Sequence, residues 1–197
     1  MTTFLLVRHA ANETIGELIA GRLPDVYLNE AGIAQAARLA ERLARVPLAA
    51  IYSSPMERAL HTARPVALHH GLEIQESNAL VEINFGEWTG RSFSELEDER
   101  KWQQFNSFRS GTRIPGGELM LEVQTRVVTE LEHIRERYRE ETVAVFSHGD
   151  PLKAAAAYYA GIPLDLSLRM ELSPASVSVI TVNDDGPKIL LLNDTGE

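Results

Sequence analysis

The chain opens with an apolar run, Phe4 to Val7, preceded by Thr2 and Thr3 and followed at once by Arg8 and His9. So short a run between polar residues predicts a buried strand that ends at Arg8. From Asn29 to Arg45 the rhythm changes: Ile33, Ala36, Ala37, Leu39, Ala40 and Leu43 recur at three- and four-residue steps. That spacing predicts an amphipathic helix with Asn29 as its N-cap. Leu48 to Tyr52 predicts a second strand. Ser53, Ser54 and Pro55 then read as the start of a helix, since serine caps and proline is tolerated in the first helical position. This helix runs to His70, where Gly71 stops it, and Leu72 to Gln75 predicts a third strand.

Between Asn84 and Gly117 the period is lost and aromatic residues alternate with charges and glycines, which predicts an excursion with one helix from Ser94 to Phe105. Its aromatics Trp88, Trp102, Phe105 and Phe108 are expected mostly to pack onto the core, the alternative being the apolar wall of a lid. A long helix is predicted over Glu118 to Arg139, with Leu121, Val127, Val128, Leu131 and Ile134 inward and Glu130, Glu132, Arg135, Glu136 and Arg139 in water. Thr142 to Phe146 predicts the most apolar strand, and Asp150 and Pro151 open a helix to Tyr159. Val177 to Val182 and Lys188 to Leu192 predict a closing antiparallel pair, with Asp184, Asp185 and Gly186 as turn chemistry. Strands alternating with helices imply an α/β fold around a mostly parallel sheet, in which ligands gather beyond the carboxyl ends of the strands. No repeat or linker divides the chain, and residues 1–197 are read as a single domain.

Composition narrows the chemistry. With 197 residues, 44% of them hydrophobic and 24% charged, the chain can bury a sizeable core. The absence of cysteine excludes a disulfide framework, a thiolate metal site and a cysteine nucleophile together. No segment approaches the ~20 apolar residues of a membrane span, and no basic region precedes the first apolar run, so a cytoplasmic protein without membrane attachment is expected. Nineteen basic against 28 acidic residues leave a net charge of −9, which disfavours nucleic acid as a partner. Any phosphate must therefore be held in a local cationic pocket.

Two predicted strands end in histidine-bearing polar tips, LLVRHA at 5–10 and VAVFSHGD at 143–150. One such tip is ordinary capping or a solvated end. Two tips, with Arg58 in the first turns of the helix after another strand, bring several cations toward one anion. Glu82, between an apolar segment and a glycine-containing turn, adds an acid. Two histidines, two arginines and a glutamate suit phosphoryl transfer without a metal.

These residues resemble the histidine phosphatase superfamily, also called phosphoglycerate mutase-like. Arg8-His9-Ala10 matches its first motif, and AGRLPDVYLNEAGIAQA (20–36), SSPMERALHTA (53–63), VEINFGEWTG (81–90), PGGE (115–118) and VFSHGD (145–150) follow in the family's order. The resemblance implies a three-layer α/β/α sandwich and a phosphomonoesterase acting on a small phosphorylated metabolite through a phosphohistidine. His9 is the implied nucleophile. Arg8, Arg58 and His148 are implied to hold the phosphoryl oxygens, and Glu82 to protonate the leaving alkoxide and then activate water. Asn12, Gly21, Arg22 and Gly149 fall at positions that line the substrate side. Asn12 is equally a local turn-former, Arg22 reads a substrate carboxylate or hydroxyl or is simply exposed, and Gly149 permits close approach or a left-handed turn before an Asp150 N-cap. No metal or cofactor is implied; His61, His69, His70 and His133 lack convergent ligand spacing. A homodimer is left open.

Three positions depart from the family pattern: Ala10 stands for a glycine, Ile15 for an asparagine, and Leu119 for a frequent serine. They motivate a catalytically weak phospho-ligand binding or regulatory protein as one alternative. The other is a phosphoglycerate-type mutase, disfavoured by the short segment between Glu82 and Glu118.

Overall fold

The computed structural model describes residues 1–196. Six strands form one sheet: β1 (Thr2–Arg8), β2 (Leu48–Ser53), β3 (Ile74–Glu76), β4 (Thr142–Ser147), β5 (Val177–Asn183) and β6 (Gly186–Asp194), in the order β3-β2-β4-β1-β5-β6. The first four of these in spatial order are parallel, and β5 runs against both of its neighbours. The helices are α1 (Glu30–Leu43), α2 (Glu57–His70), α3 (Phe93–Leu96), α4 (Arg100–Ser107), α5 (Met120–Arg137) and α6 (Gly149–Ala160).

Strand side chains alternate between faces, and the two faces of β1 enter two different cores. Leu5 and Val7 join Leu39, Leu43, Ala63 and Val66 from α1 and α2. Phe4 and Leu6 join Val127, Leu131, Leu152 and Ala155 from α5 and α6. The result is a three-layer α/β/α sandwich. The central strands are covered on both faces, so they read as continuous apolar runs, not as alternating ones.

Several expected boundaries move. Helix α2 does not start at Ser53–Pro55: Met56 is its N-cap, and Ser54 turns its hydroxyl elsewhere. The expected single helix from Ser94 to Phe105 is two. A capping box between Ser92 and Glu95 starts α3, while Arg91 grips Glu99 and the carbonyl of Glu95 at the break before α4. Helix α5 begins at Met120, with Leu119 as an N-cap that has no side-chain acceptor. Helix α6 begins one residue before the expected Asp150 cap, with His148 in the N-cap position. The β5–β6 hairpin turns at Asp184 and Asp185 as read, with Asn183 facing Gly186.

Register carries the functional consequence. Neighbouring strands pair Arg8 with Ser147 and Ser53 with Phe146, so the carboxyl ends of β1, β4 and β2 stop level with one another. The residues that follow, His9, His148 and Ser54, are forced together.

Candidate active site

His9 is buried immediately after β1, its amide donating to Ser147 O at 2.9 Å. Its ring Nδ1 lies 2.9 Å from the carbonyl of Ala10. A carbonyl only accepts, so Nδ1 carries the hydrogen and Nε2 keeps its lone pair. Burial, followed by the charges of Arg58 and Arg8, holds the imidazole well below its usual range, against a smaller opposing effect of the Ala10 bond. A neutral imidazole with an exposed lone pair is the form a nucleophile needs. Ala10 is fully buried and has no positive φ, so alanine here is free of the strain a left-handed position would impose.

His148 lies against His9, with ring centroids 5.2 Å apart. Its Nε2 is 2.8 Å from Ser54 Oγ, which also accepts from the amide of Met56. With the Ser54 hydroxyl donating to Nε2, the hydrogen of His148 sits on Nδ1, a buried atom with no protein partner. Burial, then Arg58 and His9, depress this imidazole too. Ser54 was read in the sequence as a helix starter; the structure makes it the residue that orients His148.

Two arginines flank the pair. Arg58, fully buried in the first turn of α2, donates Nη2 to Gly21 O at 2.7 Å and leaves Nη1 without a partner. Arg8 donates Nη1 to Leu172 O at 2.6 Å and leaves Nε unpartnered beside Gly149. Gly149 has no positive φ and an added Cβ there would make only ordinary contacts, so neither sequence reading of this glycine is required. It is the first residue of α6, whose amino-terminal dipole faces the same space. Asn12 forms the local turn and keeps one donor unused. Its Oδ1 accepts from the amide and hydroxyl of Thr14 at 3.0 and 2.7 Å, while its Nδ2 is buried without a partner.

Glu82 reaches the pocket from the loop after a short 3-10 turn at Asn78–Leu80. Its Oε1 accepts from the amide of Ile83 at 2.9 Å, so in the acid form the proton belongs on Oε2. Burial and then the carboxylate of Asp150 raise it to about 7, against the opposing pull of that amide, Arg58 and Arg8. Behind it, Arg22 and Arg126 both donate to the Glu82 carbonyl, at 2.8 and 3.3 Å, and both bind Glu118. Arg22 is thus absorbed in holding the Glu82 loop and does not line the pocket.

The pocket has a volume of about 340 Å³. Its inner end is Arg8, His9, Asn12, Gly21, Arg58, Glu82 and Gly149; its outer end includes Ile15, Phe93, Trp102, Arg109, Asp150 and Lys153. The aromatics divide. Trp88 is core, Phe105 is buried but also lines the pocket, Trp102, edge-on to Trp88 at 5.2 Å, and the half-exposed Phe93 line it too, and Phe108 is exposed and outside the lining. Leu119 lies outside the lining, so its departure from the family pattern concerns the start of α5. Arg109 was one charge among many in the sequence. In the structure it is buried over the Phe105 ring and paired with Asp150 at 2.8 Å. Nothing local in the sequence marks it as paired, because its ion-pair partner Asp150 is distant in the chain.

Comparison with known proteins gives a consistent result. The profile of the histidine phosphatase superfamily (branch 1) matches residues 4–195. Phosphoserine phosphatase 1 of Hydrogenobacter thermophilus is 35% identical over 99% of this chain and 93% of its own length. Among solved structures, YhfR of Bacillus stearothermophilus superposes with a TM-score of 0.92 at 30% identity, covering 98% of each chain. A putative alpha-ribazole-5'-P phosphatase of Escherichia coli superposes with a TM-score of 0.88 at 26% identity, over 98% of this chain and 97% of that one. With its sheet, its paired histidines and its motifs in order, the chain belongs to branch 1 of the histidine phosphatase superfamily.

Proposed function

We propose that this protein hydrolyses small phosphomonoesters through a phosphohistidine on His9. One observation carries the reading. Among the described residues, the buried side-chain nitrogens and oxygens without a partner are Arg8 Nε, Asn12 Nδ2, Arg58 Nη1, Arg109 Nε and His148 Nδ1. All are nitrogens, four belong to residues that line one pocket, and the fifth lies against His9. An unmet buried donor costs about 1–3 kcal/mol, so such a group is sustained by an anion that the donors bind together.

The reading gives each residue a role. The phosphoryl oxygens meet Arg8, Arg58, Asn12, His148 Nδ1 and the start of α6, which concentrate positive potential in a protein of net charge −9. His9 Nε2 attacks phosphorus; the P–N bond forms as the P–O bond to the alcohol breaks. Glu82 gives its Oε2 proton to the departing oxygen. The same carboxylate, now ionised, takes a proton from water, whose oxygen attacks phosphorus and releases His9 and phosphate. Arg8 and Arg58 remain charged throughout and disperse the negative charge of both transition states.

His9→Ala removes the atom that bonds to phosphorus and should abolish phosphate release from an aryl phosphate, while circular dichroism stays unchanged. Turnover at the wild-type rate would overturn the reading. Rapid turnover in the wild type also separates this function from a binding protein without activity, and free phosphate, in place of an isomerised ester, separates it from a mutase.

A further inference from the structure

We infer that the outer end of the pocket is a second anion subsite formed by Arg109 and Lys153, and that the substrate is a phosphomonoester whose alcohol carries a carboxylate or a further phosphate. The inference rests on the phosphatase reading above and extends it to the leaving group.

The protein satisfies Arg109 only in part. Its side chain is 3% exposed, lies over Phe105 with 4.5 Å to the ring centroid, and uses Nη2 on Asp150 Oδ1. The Sδ atom of Met120, 3.7 Å from the same Nη2, is its remaining side-chain neighbour in hydrogen-bond range, and Nε is buried with no acceptor. A guanidinium presents five N–H donors, so one carboxylate at one nitrogen leaves most of them unmet. Lys153, three residues after Asp150 on α6, also lines the pocket, with a side chain only 14% exposed. The carboxylate within its reach is that of Glu171, at 4.0 Å and itself 72% exposed to water. Asp150 and Glu82 are the carboxylates that line the pocket beside these two cations, and Arg109 remains a buried guanidinium with Nε unmet, in a place poorly served by solvent. Burial of such a charge is costly unless a ligand meets it.

The spacing fits the leaving group. Gly149 adjoins Arg8 at the phosphoryl end, and Lys153 lies one helical turn farther along the same face, about 6 Å along the axis. Glu82, which protonates the alcohol oxygen, feels the carboxylate of Asp150, and Asp150 in turn pairs with Arg109, so the alcohol leaves on the side of the pocket where Arg109 lies. A short carbon chain bridges that gap against Trp102, Phe93 and Leu168, with its anionic end on the two cations.

The test is phosphate release by the purified protein from matched esters: propyl phosphate, 3-phosphonooxypropanoate, propane-1,3-diyl bisphosphate and benzyl phosphate. We expect kcat/KM for one or both charged esters to exceed that for propyl phosphate by about 10–100-fold, the range of a charge-assisted hydrogen bond. That ratio should fall toward unity in Arg109→Gln and in Lys153→Met. Reading the ratio within each variant cancels any general loss of activity, and Lys153→Met breaks no hydrogen bond, so it remains informative if Arg109→Gln folds poorly. Which charged ester gains distinguishes a carboxylate from a phosphate. The inference is overturned if charged and uncharged esters react alike, if benzyl phosphate is preferred to all, or if neither variant changes the ratio. No release from any ester would instead strike the phosphatase reading itself.

Discussion

Asp150→Asn should move the alkaline limb of the kcat/KM–pH profile to lower pH. In the folded protein Glu82 stands at about 7, against an ordinary 4.5, and the causes in order are burial and the carboxylate of Asp150. The difference corresponds to about 3 kcal/mol of preference for the neutral acid. Burial is the larger cause and stays, so removing Asp150 lowers the pKa part of the way toward its ordinary value. Arg109, losing its partner at 2.8 Å, adds to the change in the same direction. Glu82 must carry a proton to serve the leaving oxygen, so activity falls as pH rises through its pKa, and a lower pKa brings that fall sooner. The assay is phosphate release between about pH 5 and pH 9 with an aryl phosphate already doubly ionised, taking kcat/KM because it reports the free enzyme. Loss of the acidic residue costs about 0.3–1 kcal/mol at the first turn of α6 and more at the buried Arg109, whose charge loses its partner, so circular dichroism accompanies the assay. Glu82→Gln provides the control, with the limb gone and the rate down by about 10²–10⁴. A limb that stays in place in Asp150→Asn, or moves to higher pH, would refute the pairing of these carboxylates and the acid role built on it.

Three further outcomes test other parts of the structure. Ser54→Ala removes the partner 2.8 Å from His148 Nε2 and should lower kcat by about 10–100-fold, with nitrogen NMR showing a changed tautomer; an unchanged tautomer would contradict the proposed orientation. Gly32→Ala would set a Cβ 2.0 Å from Ala11 O, so urea denaturation should show a loss of at least about 1–3 kcal/mol, and unaltered stability would deny the close approach of α1 to the loop after His9. Leu119→Ser should complete a capping box in which Glu122 already accepts from the Leu119 amide, gaining about 0.5–1 kcal/mol by the same measurement; a loss would show that the leucine's packing outweighs a cap.

The central strands, the helical layers and the inner site were readable because each depends on short-range pattern: buried runs that end in polar tips, and periodic apolar stripes. What escaped depends on side-chain contacts that no local pattern announces. Ser54 shows why, since a hydroxyl before a helix looks the same whether it caps that helix or binds an imidazole on β4's far end. Arg109 looks like its charged neighbours until Phe105 and Asp150 close around it. Arg22 was placed by motif on the substrate side, but Glu118 and the Glu82 carbonyl claim it first. The break between α3 and α4 carries no glycine or proline, and arises from Arg91 folding back on Glu99. The position of β5 beside β1 follows from the whole sheet and from no segment of it.

The two histidines are oriented by different means, and this sets how easily each can be lost in evolution. His9 takes its tautomer from the main-chain oxygen of the next residue, an atom present whatever side chain stands there. Glycine, alanine or another small residue at position 10 keeps that oxygen, so the nucleophile is buffered against mutation of its neighbour. His148 depends on a hydroxyl that a single codon change removes. Divergent copies of such a chain should therefore lose the orientation of His148 before that of His9.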